Sequence, residues 1–402
     1  MVTSGPGTDS RTRAGMSSFR ASAHAVLATS GGLVTVFVTS ALAPLLQRDL
    51  GLTAARLGVA VAVFFAFSSI AAPLCGHLVD RMGSVRAMRA ALVLAALCLM
   101  WIGLAVRGWI GLVAVLGCAG VANGAIQPAA NRYLGRLVPP RRQGTAFGIK
   151  QSAIPAAMLI GGLSLPVATR VTGWEAVYVT ASAAVLAIAV VVRVPSAVPS
   201  APAAVTPDRQ PRGAGPPFQL PLVVLAVGWG LASAGSNALG AFFVLAAVGE
   251  GHSPLTAGLL AMTGSLASMG VRVVAGVLAD RRSGSGLVTV AAMSAAGALG
   301  MVLLATGLPW TFGAAVVLGY GLGSGWGGLF SYAIVSTHPS RPGRATGTTQ
   351  AGASAGSCLG PLGFGLLATT AGYSAAWLAA GGALLVAVGT VLAGRHMLGA
   401  TS

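Results

Sequence analysis

The chain of 402 residues carries a formal net charge of +17, yet only 8% of its residues are charged. Hydrophobic residues make up 55% of the chain, and its mean hydropathy is +0.82. Soluble domains carry about 25% charged residues, so this composition excludes a water-soluble globular protein.

The first 20 residues are polar and basic, and we predict that residues 1–20 are a disordered N-terminus. Apolar runs follow, each near the roughly 20 residues that a helix needs to cross a bilayer. Lipid offers no partner to backbone groups, so every run is predicted to be helical. We number the runs as spans 1 to 12; they lie near residues 25–47, 55–79, 88–106, 109–134, 145–169, 174–194, 219–248, 255–279, 287–306, 309–335, 345–369 and 373–394. The sequence therefore predicts an all-α membrane protein with 12 transmembrane helices.

One long polar connection divides the spans into two sets of six. Residues 195–218 are rich in Pro, Ala and Gly, and we predict a flexible linker there. It separates a first bundle, residues 21–194, from a second bundle, residues 219–395. Residues 396–402 are left as a C-terminal tail.

Arginine is distributed unevenly between the connections. Alternate connections are rich in it, while the others hold only Arg48, Arg56, Arg107 and Arg170. The positive-inside rule places the arginine-rich set in the cytoplasm. We therefore predict a multi-pass protein of the cytoplasmic (inner) membrane with both termini and the linker in the cytoplasm. The basic excess is then a topology signal, which argues against nucleic acid as a partner.

The two halves of the chain repeat one another. Gly76-His-Leu-Val-Asp80-Arg81 recurs as Gly276-Val-Leu-Ala-Asp280-Arg281, an offset of 276 − 76 = 200 residues. A second set of matches is displaced by 199 and includes Gln151 and Gln350, since 350 − 151 = 199. An internal repeat built of membrane spans is typical of secondary transporters made of two bundles.

The segment Gly76-His-Leu-Val-Asp80-Arg81-Met-Gly83 resembles the loop signature of the major facilitator superfamily, although Ser84 and Val85 replace two basic positions of that signature. The resemblance implies two pseudo-symmetric six-helix bundles that alternate access to a site between them. It also implies that Asp80 packs against span 11 and Asp280 against span 5. These residues and their neighbours would then form a cytoplasmic gate: Gly76, Asp80, Arg81, Gly276, Asp280, Arg281, Gln151 and Gln350. The alternative is an ordinary solvated salt bridge in each loop.

Two cations lie inside predicted spans, where charge is costly unless it is used. Lys150 is the only lysine of the chain and lies in span 5, whereas its repeat counterpart is Thr349. Arg272 lies in span 8, and its counterpart is Ala72. Lys150 either contacts substrate or gate, or it snorkels to the interface. Arg272 either joins the Asp280 network or binds an anion.

Polar and aromatic residues mark the spans that the resemblance places around a central cavity, namely spans 1, 4, 7 and 10. In span 4, Asn123, Gln127 and Asn131 recur every four residues and share one face. Interhelical hydrogen bonding alone is the alternative reading of such residues. The candidate substrate-binding residues are Asn123, Gln127, Lys150, Trp229, Asn237, Arg272 and Trp326.

No catalytic motif is present, and the four cysteines lie in spans without metal-ligand spacing. We therefore expect no enzyme activity, no metal and no cofactor. The predicted function is ion-coupled transport of a small organic solute by a monomer, with the lipid bilayer and protons as further partners. Lys150 and Arg272 favour an anion. Efflux of drug-like amphiphiles is the alternative. The resemblance weakens it, because drug:proton antiporters of the family usually carry an arginine in a glycine-rich span 4, and residues 116–124 contain none. A transport-inactive sensor is a more remote alternative.

Overall fold

A computed structural model describes residues 7–139, 142–193, 220–281, 286–337 and 342–400. The described residues form helices joined by short turns and include no strand. The predicted linker, residues 195–218, lies outside the described residues.

The helices follow the predicted spans in chain order. In the first half, span 1 comprises α1 (Gly7–Ala41) and α2 (Ala43–Leu50), span 2 is α3 (Ala54–Met82), span 3 is α4 (Ser84–Ala105), span 4 is α5 (Trp109–Leu137), span 5 comprises α6 (Gln143–Gln151), α7 (Ala153–Val167) and a π-helix (Ala168–Thr172), and span 6 is α8 (Gly173–Val191). In the second half, span 7 is α9 (Leu220–Gly249), span 8 is α10 (Pro254–Arg281), span 9 is α11 (Leu287–Ala305), span 10 comprises α12 (Thr311–Ala315), a π-helix (Val316–Leu322) and α13 (Gly327–Thr337), span 11 is α14 (Pro342–Thr370), and span 12 is α15 (Gly372–Ala400). Within the described residues, 11 of these spans are long and apolar enough to cross a membrane as continuous helices.

Span 10 differs from its prediction as one continuous helix. A turn at residues 323–326 separates its π-helix from α13. Six of the ten residues from Gly319 to Gly328 are glycine, and glycine costs about 1 kcal/mol relative to alanine inside a helix. The interruption therefore follows from local composition, without any proline.

The predicted disorder of residues 1–20 also differs from the structure. Helix α1 begins at Gly7, so residues 7–20 extend span 1, while residues 1–6 lie outside the description. Helix nucleation is the costly step, and adding further turns to an existing helix is inexpensive. The packed part of span 1 supplies that nucleus.

The same pairs of spans pack in both halves. Span 2 packs on span 4, span 1 on span 5 and span 3 on span 6; in the second half the pairs are 8 with 10, 7 with 11 and 9 with 12. The sequence repeat is thus a repeat of helix packing. This arrangement confirms the predicted fold class of two six-helix bundles.

Glycines permit the closest approaches within each bundle. A Cβ atom on Gly161 of span 5 would lie 2.6 Å from the carbonyl oxygen of Phe37 in span 1. A Cβ atom on its repeat counterpart Gly360 (161 + 199 = 360) would lie 2.4 Å from the Cα atom of Ala234 in span 7. Small residues allow such backbone contact between membrane helices.

The two bundles meet differently at their two ends. We call the end where even-numbered spans begin the arginine-poor end and the other the arginine-rich end. At the arginine-poor end, the amide N–H of Ala55 in span 2 donates to Thr369 Oγ1 in span 11 at 3.1 Å. At the arginine-rich end, spans 5 and 8 approach closely at Gly148 and Gly276. A Cβ atom on Gly76, near the end of span 2, would by contrast meet no atom within 4 Å.

Candidate substrate-binding site

A buried lysine lies at the centre of a polar cluster in the first bundle. Lys150 belongs to α6 and is 5% exposed. Its Nζ donates to Gln127 Oε1 at 2.8 Å and to Asn131 Oδ1 at 2.7 Å. These acceptors are successive members of the polar stripe on span 4, so this stripe faces span 5.

The cluster continues away from Lys150 through side-chain amides. Gln127 Nε2 donates to Asn123 Oδ1 at 3.4 Å. Asn123 Nδ2 in turn donates to Ser68 Oγ of span 2 at 2.8 Å. The hydrogen-bonded chain therefore joins spans 5, 4 and 2 within one bundle. Asn131 is exposed, so the cluster borders open space toward the arginine-rich end.

The charge of Lys150 has no anionic partner among the residues that the structure describes. Three acidic side chains are described, Asp49, Glu175 and Glu250, and all lie at the arginine-poor end. The amide oxygens accept hydrogen bonds from the ammonium but carry no negative charge. A buried charge without a countercharge is costly. Lys150 is buried and bonded to span 4, whereas a snorkelling lysine would extend its ammonium to the exposed membrane interface.

Arg272 supports the interruption of span 10. Its Nη2 donates to the backbone carbonyl of Ser324, which lies in the turn at residues 323–326. Its Nε lies 3.4 Å from Ser268 Oγ, one turn earlier in span 8. A carbonyl outside a regular helix needs such a donor inside a membrane. The predicted network with Asp280 stays a prediction, because the Asp280 side chain is outside the described residues.

An aromatic cluster lies between spans 7 and 10. The rings of Trp229 and Phe330 are 4.6 Å apart, and those of Trp229 and Trp326 are 6.3 Å apart. Trp326 Nε1 donates to the carbonyl of Gly323 at 2.8 Å, which supports the same turn that Arg272 contacts. All three rings are buried, so the second bundle contains a packed aromatic cluster, whereas the first contains amides around a cation.

Asn237, the remaining candidate, joins two helices of the second bundle. Its Nδ2 donates to the Ser233 carbonyl at 2.9 Å and to Ser357 Oγ of span 11 at 3.1 Å. This geometry supports interhelical bonding for Asn237 over substrate contact. Three residues that contact the candidates were not predicted from the sequence, namely Ser68, Ser268 and Phe330. The only signal among them is the four-residue spacing between Ser268 and Arg272, which places both on one face of span 8.

The predicted gate residues fall in unlike environments. Arg81 is exposed at the end of span 2, Gln151 is half-buried at the end of α6, and Gln350 is exposed in α14. The side chains of Asp80, Asp280 and Arg281 lie outside the described residues. The gate assignment therefore stays a prediction. Among the described residues, no group of three or more His, Cys, Asp or Glu side chains is arranged to hold a metal.

Comparison with known proteins places this geometry in context. The sequence model of the Major Facilitator Superfamily matches residues 25–361. Multidrug resistance protein MdtG of Proteus mirabilis (strain HI4320) is 36% identical over 107 residues, which is 26% of this chain and 26% of that protein. The match thus spans about a quarter of that relative.

Solved structures extend the similarity to nearly the whole fold. One is a crystal structure of a bacterial homologue of the human lysosomal transporter Spinster in an inward-facing, occupied conformation; its TM-score is 0.68 at 15% identity, covering 93% of this chain and 96% of the other. The inward-facing, unoccupied form gives 0.62 at 16% identity, covering 95% and 96%. At these identities the likeness concerns the fold alone.

Proposed function

The chain belongs to the major facilitator superfamily, and from this membership we propose that it is a secondary active transporter that moves a small organic anion across the cell membrane by alternating access. The superfamily is one of multi-pass membrane transporters. The identity of the solute and the coupling to protons are parts of the proposal.

One observation carries the preference for an anion: the buried ammonium of Lys150 is bound only by amide oxygens among the described residues. A carboxylate or phosphate entering beside it would supply the missing countercharge through a charge-assisted hydrogen bond. The side-chain amides that surround Lys150 could also donate to such a group. A cationic solute would instead meet like charge in a desolvated site.

Export of drug-like amphiphiles is a second candidate, and a specific observation favours it. Trp229, Trp326 and Phe330 form a packed aromatic cluster of the kind that an apolar ring could join by stacking once the bundles part. The partial relative from Proteus mirabilis is named a multidrug resistance protein. The two candidates differ in the charge of the solute, which makes them separable.

The proposed setting is the cytoplasmic membrane, with both termini inside and one chain as the working unit. The arginine distribution supports this orientation. A single chain supplies both bundles, so a second copy is not needed to enclose a site between them.

Transport into proteoliposomes tests the proposal. The purified protein would be reconstituted and offered radiolabelled carboxylates, organic phosphates and cationic amphiphiles, each with and without an imposed proton gradient. Accumulation of at least one anion above protein-free vesicles, stimulated by the gradient, is expected. Accumulation of cationic amphiphiles alone would favour the second candidate. Transport of neither class under any gradient would contradict the proposal and favour the sensor alternative.

A further inference from the structure

A groove on the outer surface of the first bundle is unrelated to the central site. It lies between spans 3 and 6 at the arginine-rich end and has a volume of about 450 Å³. Two arginines border it and apolar side chains form its floor; the lining residues are Arg89, Val93, Leu186, Ala189, Val190 and Arg193.

Both arginines are fixed against the end of span 6. Arg89 Nε donates to the carbonyl of Val192 at 3.0 Å, and Arg193 Nε lies 3.4 Å from the carbonyl of Val190. The hydroxyl of Tyr133 donates to the carbonyl of Arg193 at 2.8 Å, which holds this segment from the side of span 4. Because each guanidinium uses only Nε, its terminal nitrogens have no partner among the described residues.

Capping of the helix end explains part of this geometry, since cations stabilise the negative end of a helix dipole. Capping alone does not require arginine at both positions. The repeat counterparts are Thr289 (89 + 200 = 289) and Leu392 (193 + 199 = 392), which are uncharged. The shared fold is therefore built in the second bundle without these cations.

The groove has the polarity profile of a phospholipid. Its cations lie near the helix ends, at the level of lipid headgroups. Deeper in the membrane follow Val93, Leu186 and Val190, which are 40%, 38% and 62% exposed. The acidic side chains that the structure describes lie at the opposite end, so none of them competes for the arginines.

We propose that this groove binds an anionic glycerophospholipid, whose phosphate is held by Arg89 and Arg193 and whose acyl chain lies along Val93, Leu186 and Val190. The cytoplasmic leaflet is rich in anionic lipids, and basic pockets between helices on that side suit their headgroups. The bound lipid would tie span 3 to span 6 in the first bundle only. This inference does not depend on which solute is transported.

Native mass spectrometry of the purified protein tests the inference by counting bound phosphatidylglycerol and phosphatidylcholine. We expect phosphatidylglycerol to be retained in preference. The double variant R89Q/R193Q should lower its occupancy roughly five- to thirty-fold, given about 1 kcal/mol for each arginine near an anionic surface.

Arg107→Gln is the matched control. Arg107 also bonds the carbonyls at the end of a span, those of Leu104 and Val106, but at the arginine-poor end. Its replacement should leave lipid retention unchanged. Equal retention of both lipids by the wild type, or an equal loss in R107Q, would overturn the proposal. Displacement of the lipid by millimolar glycerol phosphate would assign the site to a free phosphate ester instead and overturn the lipid assignment.

Photocrosslinking of the wild type keeps the test independent of variant folding. Phosphatidylglycerol with a photoreactive acyl chain should label peptides that contain Val93 or residues 186–190. Labelling confined to other surfaces would contradict the proposed site.

Discussion

The ammonium of Lys150 lies 2.7 Å from the side-chain oxygen of Asn131, so a cation in span 5 is held by an amide of span 4. The bond crosses between two helices of one bundle and ends at an exposed residue. The positive charge is thereby held in place yet left without a described countercharge.

Replacing Lys150 should weaken binding of an anion. Hydrogen bonds to charged groups contribute about 1.5–3 kcal/mol, so Lys150→Gln should raise the Kd of an anionic solute about tenfold or more. Lys150→Arg should restore affinity only in part, because a planar fork does not replace a compact ammonium in a packed site. Isothermal titration on purified variants measures this. An uncharged solute serves as control and should bind all variants alike. A silent Lys150→Arg, with Lys150→Gln affecting only stability, would support snorkelling instead.

Neutralising the predicted gate should slow transport without unfolding the protein. Asp80→Asn removes a carboxylate expected to face the positive end of span 11, an interaction of about 0.3–1 kcal/mol. Asp280→Asn should have a milder effect, since its motif is the less complete copy. Transport per folded molecule is the measurement, with the exposed Glu175→Gln at the other end as control. Wild-type rates in both aspartate variants would refute the gate.

Removing the guanidinium of Arg272 should destabilise the second bundle. Arg272→Gln leaves the Ser324 carbonyl without its donor, at a cost of about 1–3 kcal/mol for an unsatisfied buried group. Its thermal unfolding midpoint, followed by tryptophan fluorescence, should therefore fall below that of the wild type. Ser268→Ala is the comparison and should fall less: it removes the 3.4 Å contact with Arg272 and the 2.9 Å hydrogen bond with Ser324 Oγ, but leaves the Ser324 carbonyl with its donor. An unchanged midpoint in Arg272→Gln would argue that the turn does not depend on this contact.

Two glycines of span 11 should respond in opposite ways to alanine. A Cβ atom on Gly356 would overlap the carbonyl of Gly230 in span 7, whereas one on Gly347 would meet no atom within 4 Å. Gly356→Ala should thus separate spans 7 and 11 and lower the yield of folded protein. Gly347→Ala should be neutral or raise stability by up to about 1 kcal/mol through helix propensity. Size-exclusion chromatography and unfolding midpoints compare them, and equal behaviour would contradict the packing described.

The orientation of the chain can be tested by labelling. In a variant lacking its four cysteines, Ser200→Cys should react with a membrane-permeant maleimide but not with an impermeant one in intact cells. Arg107→Cys, in a connection of the other set, should react with both. Ready labelling of position 200 by the impermeant reagent would reverse the assigned orientation.

The fold could be predicted because its signals are long and repeated. Twelve apolar runs give the helices, and the offset between Gly76 and Gly276 gives the two bundles. The glycines between Gly319 and Gly328 favour an interruption of span 10. A hydropathy profile does not show it, because glycine is nearly neutral on such a scale. The extension of span 1 back to Gly7 depends on helix propagation, which composition does not display.

The site could be predicted only residue by residue. The four-residue spacing of Asn123, Gln127 and Asn131 indicates a shared face. A polar face inside the membrane indicates contact with protein or with a cavity. Its meeting with Lys150 depends on how spans 4 and 5 are rotated against each other, which no local pattern fixes. Arg272 shows the same limit, since its partner is a backbone carbonyl and backbone acceptors leave no trace in a sequence.

The interruption of span 10 makes the two halves unequal at one pair of counterpart spans. Span 4, its repeat counterpart, has no such turn and runs as one helix from Trp109 to Leu137, with Pro128 inside it. In span 10 the carbonyls of Gly323 and Ser324 already take their hydrogen bonds from side chains, namely Trp326 and Arg272. The backbone bonds described at this turn run from the Gly323 amide to the Leu318 carbonyl and from the Gly325 amide to the Leu322 carbonyl, so none of them is an α-helical i→i−4 bond across it. We therefore expect a movement that reshapes the space between the bundles to bend span 10 at this turn more readily than span 4, beside the aromatic cluster.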